Sequence, residues 1–125
     1  MLDHIGMYVS DIERAKSFFI SALKPLGYEL LRELPEWSVI GLGADNKPDF
    51  WVSQREDAHN VHVCFAAADK RAVDDFYEQA IAAGGLDNGK PGYRTDYSPG
   101  YYAAFVTDQD GNNIEAVFHD PAPTQ

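Results

Sequence analysis

The chain repeats itself, and the repeat limits its possible folds more than any other feature. At an offset of 58 residues, HIGMYVSDIERAKSFF, starting at His4, falls on HVCFAAADKRAVDDFY, starting at His62. His4 then meets His62, Asp11 meets Asp69, Phe18 meets Phe76, and Gly27 meets Gly85. At an offset of 65, SVIGLGADNKPDFWV falls on AAFVTDQDGNNIEAV, which sets Asp45 against Asp110 and Phe50 against Glu115. The change of offset implies about seven extra residues in the second copy, expected around DNGKPGY, residues 87–93. We read residues 1–125 as one domain with repeat modules at about 1–58 and 59–120.

Each copy reads strand, helix, then several strands, an α+β pattern. Ile5, Met7 and Val9 alternate with His4, Gly6 and Tyr8, the period of a strand. Val63, Phe65 and Ala67 likewise alternate with His62, Cys64 and Ala66. The first helix carries Ile12, Ala15, Phe18 or Phe19, Ala22 and Leu26 at helical spacing. Ser10 and Glu13 suggest its capping box, and Pro25 and Gly27 its end. The second helix opens at Asp69, carries Ala72, Val73, Phe76, Tyr77, Ala80 and Ile81, and stops at Gly84 and Gly85. Further strands are expected near 28–34, 37–43 and 49–54, then 91–96, 100–107 and 113–119. ADNKPD and DQDGNN are the turns between them.

Composition narrows the partners. The net charge of −10 repels phosphate backbones and anionic lipid surfaces, so neither nucleic acid nor membrane is expected. No apolar run reaches membrane-spanning length and no signal peptide is expected. The single cysteine, Cys64, excludes an intramolecular disulfide and suits a reducing cytoplasm, the expected location. A small molecule or another protein subunit remains as the expected partner.

Parity then links three residues. His4 and His62 occupy the same position of equivalent strands, on the side facing away from the helices. In NNIEAVFHD, Glu115 shares a face with Val117 and His119, a carboxylate among apolar neighbours. A buried carboxylate needs a proton, a cation or good hydrogen bonds. If two imidazoles and a carboxylate converge, they form a metal set that leaves coordination positions open for substrate. Taken singly, a histidine at a strand start is ordinarily a hydrogen-bonded structural residue.

LDHIGMYVSDIERAKSFF, VHVCFAAADKRAVDDFY and, most specifically, FVTDQDGNNIEAV give the chain its resemblance to the vicinal oxygen chelate superfamily over residues 1 to about 120. That superfamily includes glyoxalase I, bleomycin-resistance proteins and extradiol dioxygenases. The resemblance implies two tandem βαβββ modules forming a cupped, incomplete β-barrel with helices outside. Carried over by position, it implies that His4, His62 and Glu115 hold a divalent ion (Zn, Ni, Mn or Fe(II)). The fourth ligand position of glyoxalase I falls in PDFWV, at Phe50, or at Trp51 after a one-residue shift; neither binds metal, and Asp49 is a weaker substitute.

The resemblance implies a glyoxalase-like lyase or isomerase acting on a small oxygenated substrate, with Glu115 both ligand and proton shuttle. An extradiol-type dioxygenase with the same His/His/Glu set remains open, as does a metal-free drug-binding protein. Phe50 and Trp51 are candidate pocket walls. In GKPGYRTDYSPGYYAAF, Arg94 and one of Tyr101 or Tyr102 are candidate substrate contacts. Cys64 and His119 share the candidate face. The Asp-rich turns lack calcium-loop spacing. A homodimer is expected from the resemblance.

Overall fold

A computed structural model describes residues 2–57 and 59–123. The first module runs β1 (Ile5–Val9), α1 (Ile12–Leu23), β2 (Glu29–Leu34), β3 (Val39–Ala44) and β4 (Lys47–Gln54). The second runs β5 (His62–Ala66), α2 (Lys70–Ala82), β6 (Leu86–Tyr93), β7 (Tyr101–Thr107) and β8 (Asn113–His119). Each is a βαβββ unit. The two sheets have the orders β1-β4-β3-β2 and β5-β8-β7-β6. In each, the first strand pairs parallel with the last, and the other pairings are antiparallel. Among the described residues the sheets do not close into a barrel.

The helices form where an aspartate can begin them. Asp11 caps α1 by accepting from the backbone N–H groups of Glu13 and Arg14, and Asp69 caps α2 by accepting from that of Ala72. The capping box expected at Ser10 is therefore displaced by one residue. Ser10 instead donates its backbone N–H to both carboxylate oxygens of Asp110, at 3.2 and 3.1 Å, tying the first module to a turn of the second. Helix α1 ends in a short 3₁₀ turn, Lys24–Leu26, capped by Gly27 at φ 86°.

Both helices cover the same side of the sheets. Met7, Val9, Phe50 and Val52 from the first sheet and Val63, Phe65, Val106 and Ile114 from the second join Phe18, Phe19, Val73 and Phe76 in one buried core. An edge-to-face chain of rings crosses it: Phe18 to Phe19 at 5.0 Å, Phe19 to Phe50 at 5.1 Å, and Phe50 to Phe65 at 5.3 Å. Such pairs add about 0.5–1.5 kcal/mol each beyond area burial. Both modules contribute to this chain, so the joint between them is apolar and continuous.

Two expectations shift. Residues 87–93 are not an inserted loop; they lie within β6, which begins earlier than the strand expected at 91–96. The extra length appears partly as bulges in β6 near Asp87, Gly89 and Gly92 and partly in the Arg94–Gly100 connection. Strand pairing also sets the module equivalence near the end of each sheet. Gly6 pairs with Trp51, and Cys64 pairs with Glu115. Trp51, not Phe50, is thus the first-module counterpart of Glu115. The ungapped match misses by one because it aligns the turns, and the turns differ. The first closes tightly at Asp45 and Asn46, and a register shift near Gly43 absorbs Asp49. The second uses Asp108–Asn112 without a bulge.

Candidate functional site

The sheet faces turned away from the helices carry the candidate site. On the second sheet, strand pairing sets Cys64 of β5 beside Glu115 of β8, and Glu115 beside Phe105 of β7. Glu115 is only 2% exposed. Its Oε1 lies 2.9 Å from His62 Nε2, and its Oε2 accepts from the Tyr101 hydroxyl at 2.5 Å. Both carboxylate oxygens are therefore partnered, as a buried carboxylate requires. The His62 side chain stays 52% exposed, so the pair opens to solvent through the imidazole.

Two neighbouring acids are held neutral. Burial first, then the hydrogen bond to Glu115, pushes the Tyr101 phenol well above the usual tyrosine range. Burial and the adjacent Glu115 charge push the Cys64 thiol up to about 12. At neutral pH, Tyr101 is a hydrogen-bond donor and Cys64, exposed on the same face, is a protonated thiol. Aromatic side chains surround the pair. Phe105 lies 6.4 Å from the His62 ring, and Tyr101 contacts Tyr97 at 5.1 Å and His119 at 5.3 Å, edge to face.

The other candidates fall into separate places. His4 lies just before β1, 57% exposed, with Nδ1 2.8 Å from Asp3. It borders a recess of about 140 Å³ at the module joint, shared with Tyr28, Asp49, Phe50 and Cys64. Asp49 there accepts a 2.7 Å hydrogen bond from the Tyr28 hydroxyl. Phe50 is 1% exposed and belongs to the core. Trp51 is half-buried on the outer face, its ring lying over Gly41; a Cβ there would come within 2.7 Å of the ring. Tyr102 points the opposite way from Tyr101 and donates to Asp74 of α2 at 2.7 Å; burial and that bond push its phenol up to about 12. Arg94 lies over the Phe105 ring at 5.4 Å.

An imidazole nitrogen and a carboxylate oxygen are donor types that a divalent ion takes. His62 Nε2 and Glu115 Oε1 lie 2.9 Å apart, at hydrogen-bonding distance and closer than the roughly 3.4 Å between two ligands that each sit about 2.1 Å from a tetrahedral ion. The two side chains suit such an ion by donor type, as two ligands. Among the described residues, no group of three His, Cys, Asp or Glu side chains is placed to hold an ion within one chain.

Sequence reasoning passed over Phe105, although strand alternation places it on the face of Tyr101 and Ala103, opposite Glu115. DQDGNN, for all its weight in the resemblance, builds the turn. Asp108 is 3% exposed and Asn112 0%. The Asp108 carboxylate accepts from the backbone of Asp110 and Asn112 and from the Asn112 side chain, while Asn112 Oδ1 accepts from Val61 N–H. The turn thus fixes the entry to β5 one residue ahead of His62.

Known proteins share this architecture. A Bacillus subtilis (strain 168) protein, YqjT, described as uncharacterized, is 30% identical over an alignment that covers 93% of this chain and 97% of that protein. A solved glyoxalase/bleomycin resistance protein from Albidiferax ferrireducens T118 superposes with a TM-score of 0.83 at 26% identity, covering 94% of this chain and 98% of that one. A lactoylglutathione lyase from Agrobacterium tumefaciens shares the fold at a TM-score of 0.67 and 20% identity, covering 94% and 92%. The sequence model of one family matches residues 1–116, and by that match the chain belongs to the Glyoxalase/Bleomycin resistance protein/Dioxygenase superfamily.

Proposed function

We propose that the chain is a metal-dependent enzyme of the glyoxalase-like lyase or isomerase type, acting on a small oxygenated molecule. The observation that carries this reading is the His62–Glu115 pair, an imidazole and a buried carboxylate side by side on an open face. His4 is the third ligand, supplied by a second copy of the chain. In support, His4 is the repeat counterpart of His62, yet one chain does not gather three such donors among its described residues. A divalent ion held there would supply Lewis acidity to a bound substrate oxygen.

The chain's own residues do the rest. Tyr101 holds the carboxylate of Glu115 in one orientation through Oε2. Glu115 Oε1 then accepts or returns a proton at the substrate, with His62 beside it. Phe105 and Trp51 give the outer faces apolar walls that limit water.

The test is metal content and its linkage to stability. The purified protein is expected to bind one of Zn, Ni, Mn or Fe(II) and to gain melting temperature on its addition, because a ligand of the folded state alone stabilises it. His62→Ala and Glu115→Gln are expected to abolish that gain while keeping the fold. Mixing His4→Ala chains with His62→Ala chains is expected to restore binding, since one mixed site then has all three ligands. No metal and no thermal shift in the wild type would end this reading. A metal-free ligand-binding protein is the second reading, favoured by Trp51 standing at the counterpart of Glu115.

A further inference from the structure

Arg94 occupies a seat built for it. It follows β6, and its backbone N–H donates to Tyr101 C=O at 2.7 Å, which places it on the outer face with Tyr101. Its Nη1 donates to Gly92 C=O at 2.8 Å and its Nη2 to Lys90 C=O at 2.7 Å. The guanidinium carbon stands 5.4 Å over the Phe105 ring. Two glycines clear the space. A Cβ at Gly92 would come 3.3 Å from Nη1; one at Gly89, whose φ is +149°, would come 3.1 Å from Nη2 and 3.0 Å from the Phe105 ring. The chain thus gives up side chains at two strand positions around one cation beside the candidate site.

That cation lacks a counter-ion. Among the described residues no carboxylate lies within 4.0 Å of Arg94, although the chain carries 20 acidic side chains against 10 basic ones. A guanidinium stays charged at every physiological pH and has five N–H donors. Two are used on backbone carbonyls, and the remaining three suit a planar anion taken in two-point fashion. Phe105, on which Arg94 rests, is also the ring 6.4 Å from His62 and the cross-strand partner of Glu115. The aromatic edges of Tyr101 and Tyr97 continue the same surface.

We propose that Arg94 is the specificity-determining anion site, and that the ligand is a small carboxylate with a flat apolar body. The carboxylate binds Arg94, the body lies against the Phe105–Tyr101 surface, and an oxygen at the far end reaches His62 and Glu115. The last clause rests on the function proposed above; the anion site itself does not.

Calorimetry with 4-hydroxybenzoate and its neutral analogue 4-hydroxybenzamide tests this. Wild type is expected to bind the carboxylate about tenfold or more tighter than the amide, as a charge-assisted two-point contact requires. Arg94→Gln is expected to remove the preference in a protein that stays folded, with a small drop in melting temperature from the two lost backbone hydrogen bonds. Gly92→Ala, which keeps the cation and crowds its seat, is expected to reduce the preference in part. Equal binding of the two probes by wild type, binding of neither, or a preference that survives in Arg94→Gln would overturn the proposal. So would an Arg94→Gln change confined to oligomeric state, which would make the cation a contact between copies. The metal reading fails separately: charge preference retained in His62→Ala and Glu115→Gln, in a wild type that binds no metal, would leave Arg94 in place and remove only the metal.

Discussion

The two modules share an inner face and differ on the outer one. Against the helices both present buried apolar strand residues, Phe50 in the first module and Ile114 in the second at matching positions. On the opposite face the second module sets Glu115 beside Phe105, where the first sets Trp51 beside Gly41. One outer face is a polar cluster with partnered oxygens; the other is an indole laid over a glycine. The shared inner face specifies the fold twice, and the divergent outer face sets the buried Glu115 in one half only.

The largest expected effect tests which neighbour belongs to which face. Phe50→Ala is expected to cost about 3–5 kcal/mol, the usual penalty for emptying a buried phenylalanine site. Trp51→Ala, which uncovers Gly41 without opening the core, is expected to cost about 1 kcal/mol. Urea unfolding of both variants measures the difference, and equal losses would break the assignment of faces.

The turns give a second, smaller contrast. Asn112→Ala leaves Val61 N–H and one oxygen of Asp108 without partners in a buried turn, so about 2–3 kcal/mol is expected. Asn46, in the corresponding turn of the first module, only tolerates a left-handed backbone at φ 62°. Asn46→Ala is expected to cost about 1 kcal/mol. The same denaturation series, with hydrogen exchange at Val61, separates a buried latch from a simple hairpin.

The smallest effect is one of reactivity. Cys64 stands where the first module has Gly6, and burial with Glu115 raises its pKa to about 12. The sign follows from a folded-state value above the unfolded one. The thiol's contribution to stability is intact below about pH 9 and is lost as pH rises through about 12. Alkylation by iodoacetamide is therefore expected to be slow at pH 8 and still rising at pH 10. Glu115→Gln removes the second cause of the shift and is expected to accelerate it several-fold; an unchanged rate would detach Cys64 from the carboxylate.

Much of the fold was legible because its determinants are local and periodic. Strand alternation around Met7 and Val63, helical spacing through Phe18 and Phe76, and aspartates at both helix starts each record a backbone requirement in nearby residues. The pairing of Cys64 with Glu115 was less legible, since it depends on how two strands 50 residues apart register. The choice between Phe50 and Trp51 turned on a bulge near Asp49, and a bulge leaves no residue type that marks it. Tyr101 and Tyr102 were inseparable for a related reason. Adjacent strand residues point to opposite faces, so a one-residue uncertainty in strand phase exchanges a partner of Glu115 for a partner of Asp74. His62 and Glu115 stood out because a polar residue on an apolar strand requires an explanation. Phe105 did not, because an aromatic residue there looks ordinary.

The parallel pairing of each module's first strand with its last has a consequence for the order in which the chain is made. A hairpin can form as soon as its second strand leaves the ribosome, but β5 has no partner until β8 emerges. His62 lies on the opening strand and Glu115 on the closing one, so the pair marks the two ends of the second half. Any nascent or truncated product that stops short of β8 leaves β5 an unpaired edge and keeps the imidazole without its carboxylate. The His62–Glu115 contact thus exists only in a chain that has reached β8.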